Sequence, residues 1–369
     1  MRAMNGEDLA HWRMRNLRLW GPGLRRPEEV VGWLVGVQSQ DYGPAKWSLA
    51  QRTGGADDAA VERAFADGAI LRTHVLRPTW HFVLPADIRW LLELTAPRVH
   101  VLNGFQYRQL GLDDDQRRKA TALLVEALRG GNQLTRKVLG ARLEAAGVRL
   151  GGFRLAYILM NAELDGVVCS GAPDGRQHTY ALLDERVPPA PSRGRDEALA
   201  ELALRYLTSH GPATAKDLSW WSSLTLAEVR KGIDLVASQL EREVVDGVSY
   251  WFAASRAQGR PPFPAVHLLQ AYDEYLVGYS ESKYLLDVSG AARARGRDGV
   301  PFNHVVVLDG QVAGHWKRTV KRRSVLIEAV LYAPFDGRQA AALQAAADRH
   351  AAFLGLDATV TTSEPRPPG

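Results

Sequence analysis

Apolar and polar positions along this chain alternate in two periods, and the two periods return in the same order more than once. A 3.6-residue repeat predicts helices over 6–17 and 27–37, the second opening at Pro27 with Glu28 and Glu29 in its first turn. Pro44 can start a third helix running to about Arg52, and a fourth covers about 57–66. Two β-prone runs follow, 70–75 and 79–84, joined through Leu76-Arg77-Pro78, which reads as a hairpin. The order returns with helices over 134–146 and 153–165, a strand at 167–170, a turn at Pro173-Asp174-Gly175 and a strand at 178–182. It returns again with helices over 197–210, 214–222 and 226–240. They lead into the run 243–252, whose central Asp246-Gly247 is a strong two-residue hairpin signal.

Short helices followed by a hairpin make the pattern of a winged helix, and the chain contains it three times. The repetition is of pattern, not of sequence. From residue 265 the character changes to β-rich: a hairpin over 304–316 turning at Asp309-Gly310, further strand at 317–323 and 325–332, and a closing amphipathic helix over 338–354. Proline crowding at 186–195 and at 258–264 breaks helix and sheet alike, and the tail after Thr362 has the composition of a frayed end. The expected fold class is therefore α+β. Its divisions are a winged-helix-like unit over 1–115 carrying a Gln-Ser-Gln motif, a second over 116–190, a third over 195–258, and a β-rich region over 265–369.

Composition narrows the chemistry. The 369 residues are 46% hydrophobic and 24% charged, an ordinary globular balance. Forty-six Lys and Arg against 41 Asp and Glu give a net charge of +5, compatible with a polyanionic partner. The single cysteine, Cys169, can make neither an internal disulfide nor a Cys-based zinc site, which makes a reducing cytoplasm the default location. No run reaches the length of a membrane helix. HExxH, Walker A, GxGxxG and GxSxG motifs are all absent, and the ten His have no metal-ligand spacing. No metal and no cofactor are expected.

Four stretches can carry chemistry. Gln38-Ser39-Gln40-Asp41 sits where a helix gives way to a loop. It reads either as a polar helix end with Asp41 capping the next helix or as a small polar pocket that orients a water or a base edge. Glutamine offers one acceptor and two donors and is no strong base. The hairpin at 72–82 bears Arg72, His74, Arg77 and His81 beside Trp80, either as a wing pressed into a DNA groove or as an ordinary hairpin with solvated arginines. In the run 315–323, five of nine residues are basic: Lys317, Arg318, Lys321, Arg322 and Arg323. Trp316 in that run offers a stacking surface, and Arg293, Arg295 and Arg297 add charge nearby. The competing reading is a charged edge strand. Trp220-Trp221, after Thr214 as a helix cap, reads as core, and Asp273-Glu274 as an acid pair or a solvated strand end.

These residues together resemble the bacterial tandem winged-helix proteins of the AlkZ-like DNA glycosylase group, first linked to self-resistance against the DNA-crosslinking antibiotic azinomycin. The matching stretches span nearly the whole chain: 36–41, 73–81, Gly211-Pro212-Ala213-Thr214 with Trp220-Trp221, 272–276, 306–310 and 314–316. In the glycosylase members a Gln-x-Gln motif is catalytic, which maps onto Gln38 and Gln40; the middle residue is typically aliphatic there and is Ser39 here. The resemblance implies a monofunctional DNA glycosylase that releases N7-alkylated purines or crosslinked bases from duplex DNA, for repair or self-resistance. An N7-alkylguanine already carries positive charge on its ring, so its glycosidic bond needs little acid assistance. Two amides holding a water against C1′ could suffice, with Asp41 as general base or as stabiliser of the sugar cation. The alternative is a non-enzymatic winged-helix DNA binder or transcriptional regulator. Several units in one chain and no evident dimerisation helix favour a monomer acting on one lesion, cytoplasmic and nucleoid-associated.

Overall fold

The computed structural model describes residues 4–253, 263–290 and 304–364; Arg293, Arg295 and Arg297, residues 258–262 of the second break and the tail from 365 lie outside the described residues. The chain opens with α1 (Gly6–Asn16), started by a capping box between Asn5 and Asp8. The first unit comprises α2 (Pro27–Leu34), β1 (Val37–Gln38), α3 (Tyr42–Ala50), α4 (Asp58–Ala66), β2 (Leu71–His74) and β3 (Trp80–Val83), with strand order β1-β3-β2. Helix α2 stops three residues short of the expected end. Val35 adopts φ +70° there, a conformation β-branched residues rarely enter. Gly36 passes so close under Leu76 that a Cβ would lie 2.9 Å from its Cδ1. Gln38 therefore stands in a strand, paired with His81, and not at a helix end.

The long helix α5 (Pro85–Gln109) follows, continuing through Pro97. Sequence periodicity predicts no element here, because an internal proline ordinarily ends or kinks a helix. The second unit is α6 (Asp114–Leu128), β4 (Leu134–Thr135), α7 (Arg136–Ala145), α8 (Arg154–Leu164), β5 (Val168–Ser170) and β6 (Thr179–Leu182), ordered β4-β6-β5, with the short α9 (Leu183–Arg186) behind it. Its strand order is that of the first unit. The third unit is α10 (Arg195–Ser209), α11 (Ala215–Ser222), α12 (Leu226–Leu235), β7 (Leu240–Val245) and β8 (Val248–Ala253). Thr214 caps α11 through a capping box with Asp217, and Ala213 bridges Trp251 where the other units have their short first strand. Asp246 and Gly247, both with positive φ, make the turn between β7 and β8. Helix, two helices and hairpin thus recur three times, with a short strand after the first helix in the first two units and a single bridge there in the third.

The C-terminal region holds β9 (Val266–Leu269), α13 (Glu274–Val277), β10 (Val305–Leu308), β11 (Gln311–Val320), β12 (Ser324–Leu331), α14 (Gly337–Phe353) and β13 (Asp357–Ser363). The sheet order is β13-β12-β11-β10-β9, antiparallel except where α14 crosses over to set β13 parallel to β12. One apolar core runs from the first unit into the third and the C-terminal region, a second fills the second unit, and a third lies under the C-terminal sheet.

The first unit is the hub. Its β2 meets α8 and β5 of the second unit, its α2 meets α10 of the third, and its α3 meets α14. Buried charges tie these bodies together. Arg52 donates to both carboxylate oxygens of Asp273, at 2.7 and 2.8 Å, with neither side chain reaching solvent. Glu274 accepts from the Trp221 indole at 2.8 Å and from the backbone N–H of Gln38 at 2.7 Å. Burial would raise the Glu274 carboxyl, but the His210 hydrogen bond and charge, Arg77 and the Gln38 N–H outweigh it and hold it at about 2. Neither acid is a solvated strand end. They hold the C-terminal region to the first and third units, and losing one partner of such a buried pair costs about 3–5 kcal/mol.

Candidate active-site cleft

A cleft of about 940 Å³ opens between the first and second units. One wall is Gln40, Tyr42, Arg72 and Trp80; the other is the start of α7, with Arg136 and Lys137, and the hairpin residues His178 and Tyr180. The topology explains the meeting. Gln40 lies between β1 and α3, and Arg136 lies just after β4 at the start of α7, so the same junction of two repeated units faces one space. Tyr42 at the start of α3 and Arg136 at the start of α7 both line it, and Arg72, Arg136 and Lys137 bring three cationic side chains.

The motif divides at the cleft. Gln38 is buried, its carbonyl accepting from Arg77 Nη2 at 2.8 Å, and it does not line the cleft. Gln40 is exposed and lines it, its carbonyl accepting from the Trp80 backbone N–H at 3.3 Å. Both partners are obligate donors, so both amides are fixed with oxygen toward the protein. Their NH₂ groups have no partner among the described residues. Asp41 is exposed and is the N-cap residue of α3, yet its carboxylate makes no capping hydrogen bond. It acts electrostatically on Arg72, His304 and Arg318.

Ser39 is fully buried, and its hydroxyl has no hydrogen-bond partner. A small apolar side chain at this position would leave no such group unpaired. Ser39→Ala is expected to leave the melting temperature unchanged or raise it, because an unpaired buried hydroxyl costs about 1–3 kcal/mol; a drop of several degrees in thermal unfolding would contradict the geometry.

Burial corrects the reading of the 72–82 hairpin as a wing with its basic residues pressed outward. Arg72, His74, Arg77 and His81 are 8, 3, 8 and 0% exposed. Arg77 donates to the Val277 carbonyl and to Gln38, His74 bonds Glu163 of α8, and His81 Nδ1 donates to the Thr79 carbonyl. Burial first, then Arg77, depresses His81 to about 3, so it is neutral at pH 7 and offers phosphate no charge. Only Arg72 reaches the cleft. Trp316 is likewise no stacking surface: it is buried, donates to the Leu269 carbonyl at 2.9 Å and packs on His350. Arg318 is half-buried and donates to His350 Nε2 at 2.9 Å. The basic run keeps Lys321, Arg322 and Arg323 exposed at the turn between β11 and β12, with Lys317 exposed beside Glu328 at 3.2 Å.

Sequence reading did not find Tyr42, His178, Tyr180 or the start of α7. No local signal marks them; only the packing of two units brings them together. His178 stands 4.5 Å from Tyr42, ring centre to ring centre, and burial, then Arg72, lowers it to about 4. Burial pushes the Cys169 thiol up to about 12, which leaves too little thiolate for a nucleophile. Among the described residues no group of three or more His, Cys, Asp or Glu could hold a metal, and no helix is long and apolar enough to cross a membrane.

The helices that precede the three hairpins differ in their outer faces. The first carries Asp58 and Glu62 on α4, α8 is buried along its second half, and α12 is engaged in ion pairs through Glu228 with Arg195 and Lys231 with Asp196.

Comparison with known proteins gives one consistent picture. The sequence model of the family described as DNA glycosylase AlkZ-like matches residues 31–353. A Streptomyces sahachiroi protein named interstrand DNA cross-link repair glycosylase is 27% identical over 324 residues, covering 83% of this chain and 86% of that protein. The solved structure of Streptomyces sahachiroi DNA glycosylase AlkZ shares the fold with a TM-score of 0.78 at 24% identity, covering 98% of this chain and 100% of that one.

Proposed function

As this chain belongs to the AlkZ-like DNA glycosylase family, we propose that it hydrolyses the N-glycosidic bond of N7-alkylated or crosslinked purines in duplex DNA, with Gln40 and Asp41 at the reacting sugar. The observation that carries this reading is that these two are the exposed end of a motif otherwise buried and bonded, beside a cleft large enough for a purine with its adduct. Small-molecule sites run to roughly 300–1,000 Å³.

The chemistry follows from which groups are free. In an N7-alkylpurine, N9 leaves with the bonding pair and the ring loses its positive charge. A water adds to C1′ and loses a proton, leaving an abasic sugar and free base. An amide NH₂ can hold an oxygen but cannot take that proton; a carboxylate can. Gln40 therefore positions water or sugar by donation. Asp41 accepts from the water and opposes the positive charge that grows on the sugar. Gln38 acts from behind, holding the strand that presents Gln40. Lys317, Lys321, Arg322 and Arg323, with Arg136 and Lys137, meet phosphates. The protein acts as a monomer on nucleoid DNA in the cytoplasm.

The direct test is purified protein with duplex DNA carrying N7-methylguanine, assayed for free base and abasic sites. Release of 7-methylguanine is expected. Binding without release from any N7-alkylated duplex would leave the DNA-binding alternative.

A further inference from the structure

Arg72 is the buried cation of the cleft, and it is spent on neutral partners. Its Nε and Nη2 donate to the Ser39 carbonyl at 3.2 and 2.9 Å, and Nη2 also donates to the Gln40 carbonyl at 3.4 Å. The guanidinium lies 4.4 Å from the ring centre of Trp80, the residue whose backbone N–H holds the Gln40 side chain. Its own backbone N–H donates to Ser170 Oγ of β5 at 2.8 Å, which ties the arrangement to the second unit. Across the cleft edge, Glu163 of α8 accepts from the Trp80 indole at 3.3 Å and bonds His74. No carboxylate forms an ion pair with Arg72 among the described residues, and burial holds its pKa below the usual arginine value.

We propose that Arg72 is a positioning residue for base excision: the guanidinium clamps the Ser39 and Gln40 carbonyls, which flank the Gln40 Cα, against Trp80, and so fixes where the Gln40 amide and the Asp41 carboxylate stand. A carbonyl clamp needs the planar fork of arginine. The ammonium of lysine is a compact point charge that cannot stack on Trp80 and span two carbonyls together. This role rests on the excision reaction proposed above and differs from phosphate binding, in which lysine would serve nearly as well.

The test is single-turnover release of 7-methylguanine at saturating protein, alongside DNA affinity and thermal unfolding, for Arg72→Lys, Arg72→Ala and Trp80→Leu. Misplacing a reacting group by about 1 Å can cost on the order of 10²-fold in rate, and a loss of that order is expected in Arg72→Lys with affinity little changed. Guanidinium added at a sub-denaturing concentration should restore part of the Arg72→Ala rate. Trp80→Leu keeps the backbone bond to Gln40 and removes the stack; its loss should be non-additive with that of Arg72→Lys. Weaker affinity with a native single-turnover rate would make Arg72 a phosphate contact and overturn the proposal. Unfolding of all three variants would make its role structural and also overturn it. If the native protein itself releases no base, the proposed reaction falls first, so the two failures are told apart by the native control.

Discussion

Gln40→Ala is expected to slow release of 7-methylguanine from bound DNA by roughly 10²–10³-fold, the cost of one oriented donor acting in the transition state, with affinity nearly intact. The side chain is neutral, so its loss hardly alters attraction to phosphate. It is exposed, and its one bond is accepted from a backbone N–H that can turn to water, so folding should survive. Asp41→Asn tests the second role. A large loss identifies the carboxylate as proton acceptor or counter-charge, whereas a small one leaves Gln40 as the main actor. The combined variant should lose less than the product of the two single losses, because both serve one site. Gln38→Ala behaves differently. It strips one of the two acceptors from buried Arg77 and should lower the melting temperature as well as the rate. A Gln40→Ala protein that excises bound substrate at the native single-turnover rate would remove Gln40 from the chemistry.

Removing four positive charges from the C-terminal sheet should have the largest effect on binding. Lys317, Lys321, Arg322 and Arg323 are exposed, three of them at a hairpin turn, whereas Arg318 is taken up by His350 and is left out of the test. Each phosphate neutralised contributes about −0.9 to the log–log salt slope. The quadruple alanine variant should therefore bind all duplex sequences more weakly, with a slope flatter by as much as about 3.6 if all four residues meet phosphates. The loss should be uniform across sequences, since phosphate contacts carry no sequence information. Unchanged affinity and slope in a folded quadruple variant would mean that the DNA runs elsewhere, with Arg136 and Lys137 of α7 the next residues to replace.

Much of the architecture was legible because it is local. The periods that predict α3, α4, β2, β3, α7, α8, β5, β6 and the helices and hairpin of the third unit depend on which face of each element meets a core, and that is written in spacing; α6 and β4 are not predicted. Thr214 as a cap and Asp246-Gly247 as a turn are equally local, since the side chain or the φ angle decides them within a few residues. The end of α2 was not legible. Whether the chain turns at Val35 or continues to Val37 depends on Leu76 and β3, more than forty residues away. The continuation of α5 through Pro97 also depends on packing that no window of sequence contains.

At the candidate site the chemical inventory was readable from residue types alone: two amides and a carboxylate in one short stretch, arginines and histidines in the next hairpin, and a basic run near the end. Tertiary structure decided what each could do. It closed Arg77, His74 and His81 into the interior, where desolvation withholds charge from solvent, and it left Gln40 and Asp41 outside. It turned Trp316 inward and kept the hairpin tip at Lys321, Arg322 and Arg323 exposed. It set the start of α7 opposite Gln40, making a cleft from residues about a hundred positions apart. Residue type is local, but solvation and proximity are properties of the packed whole, and those two decide whether a polar side chain is a structural tie or a reacting group.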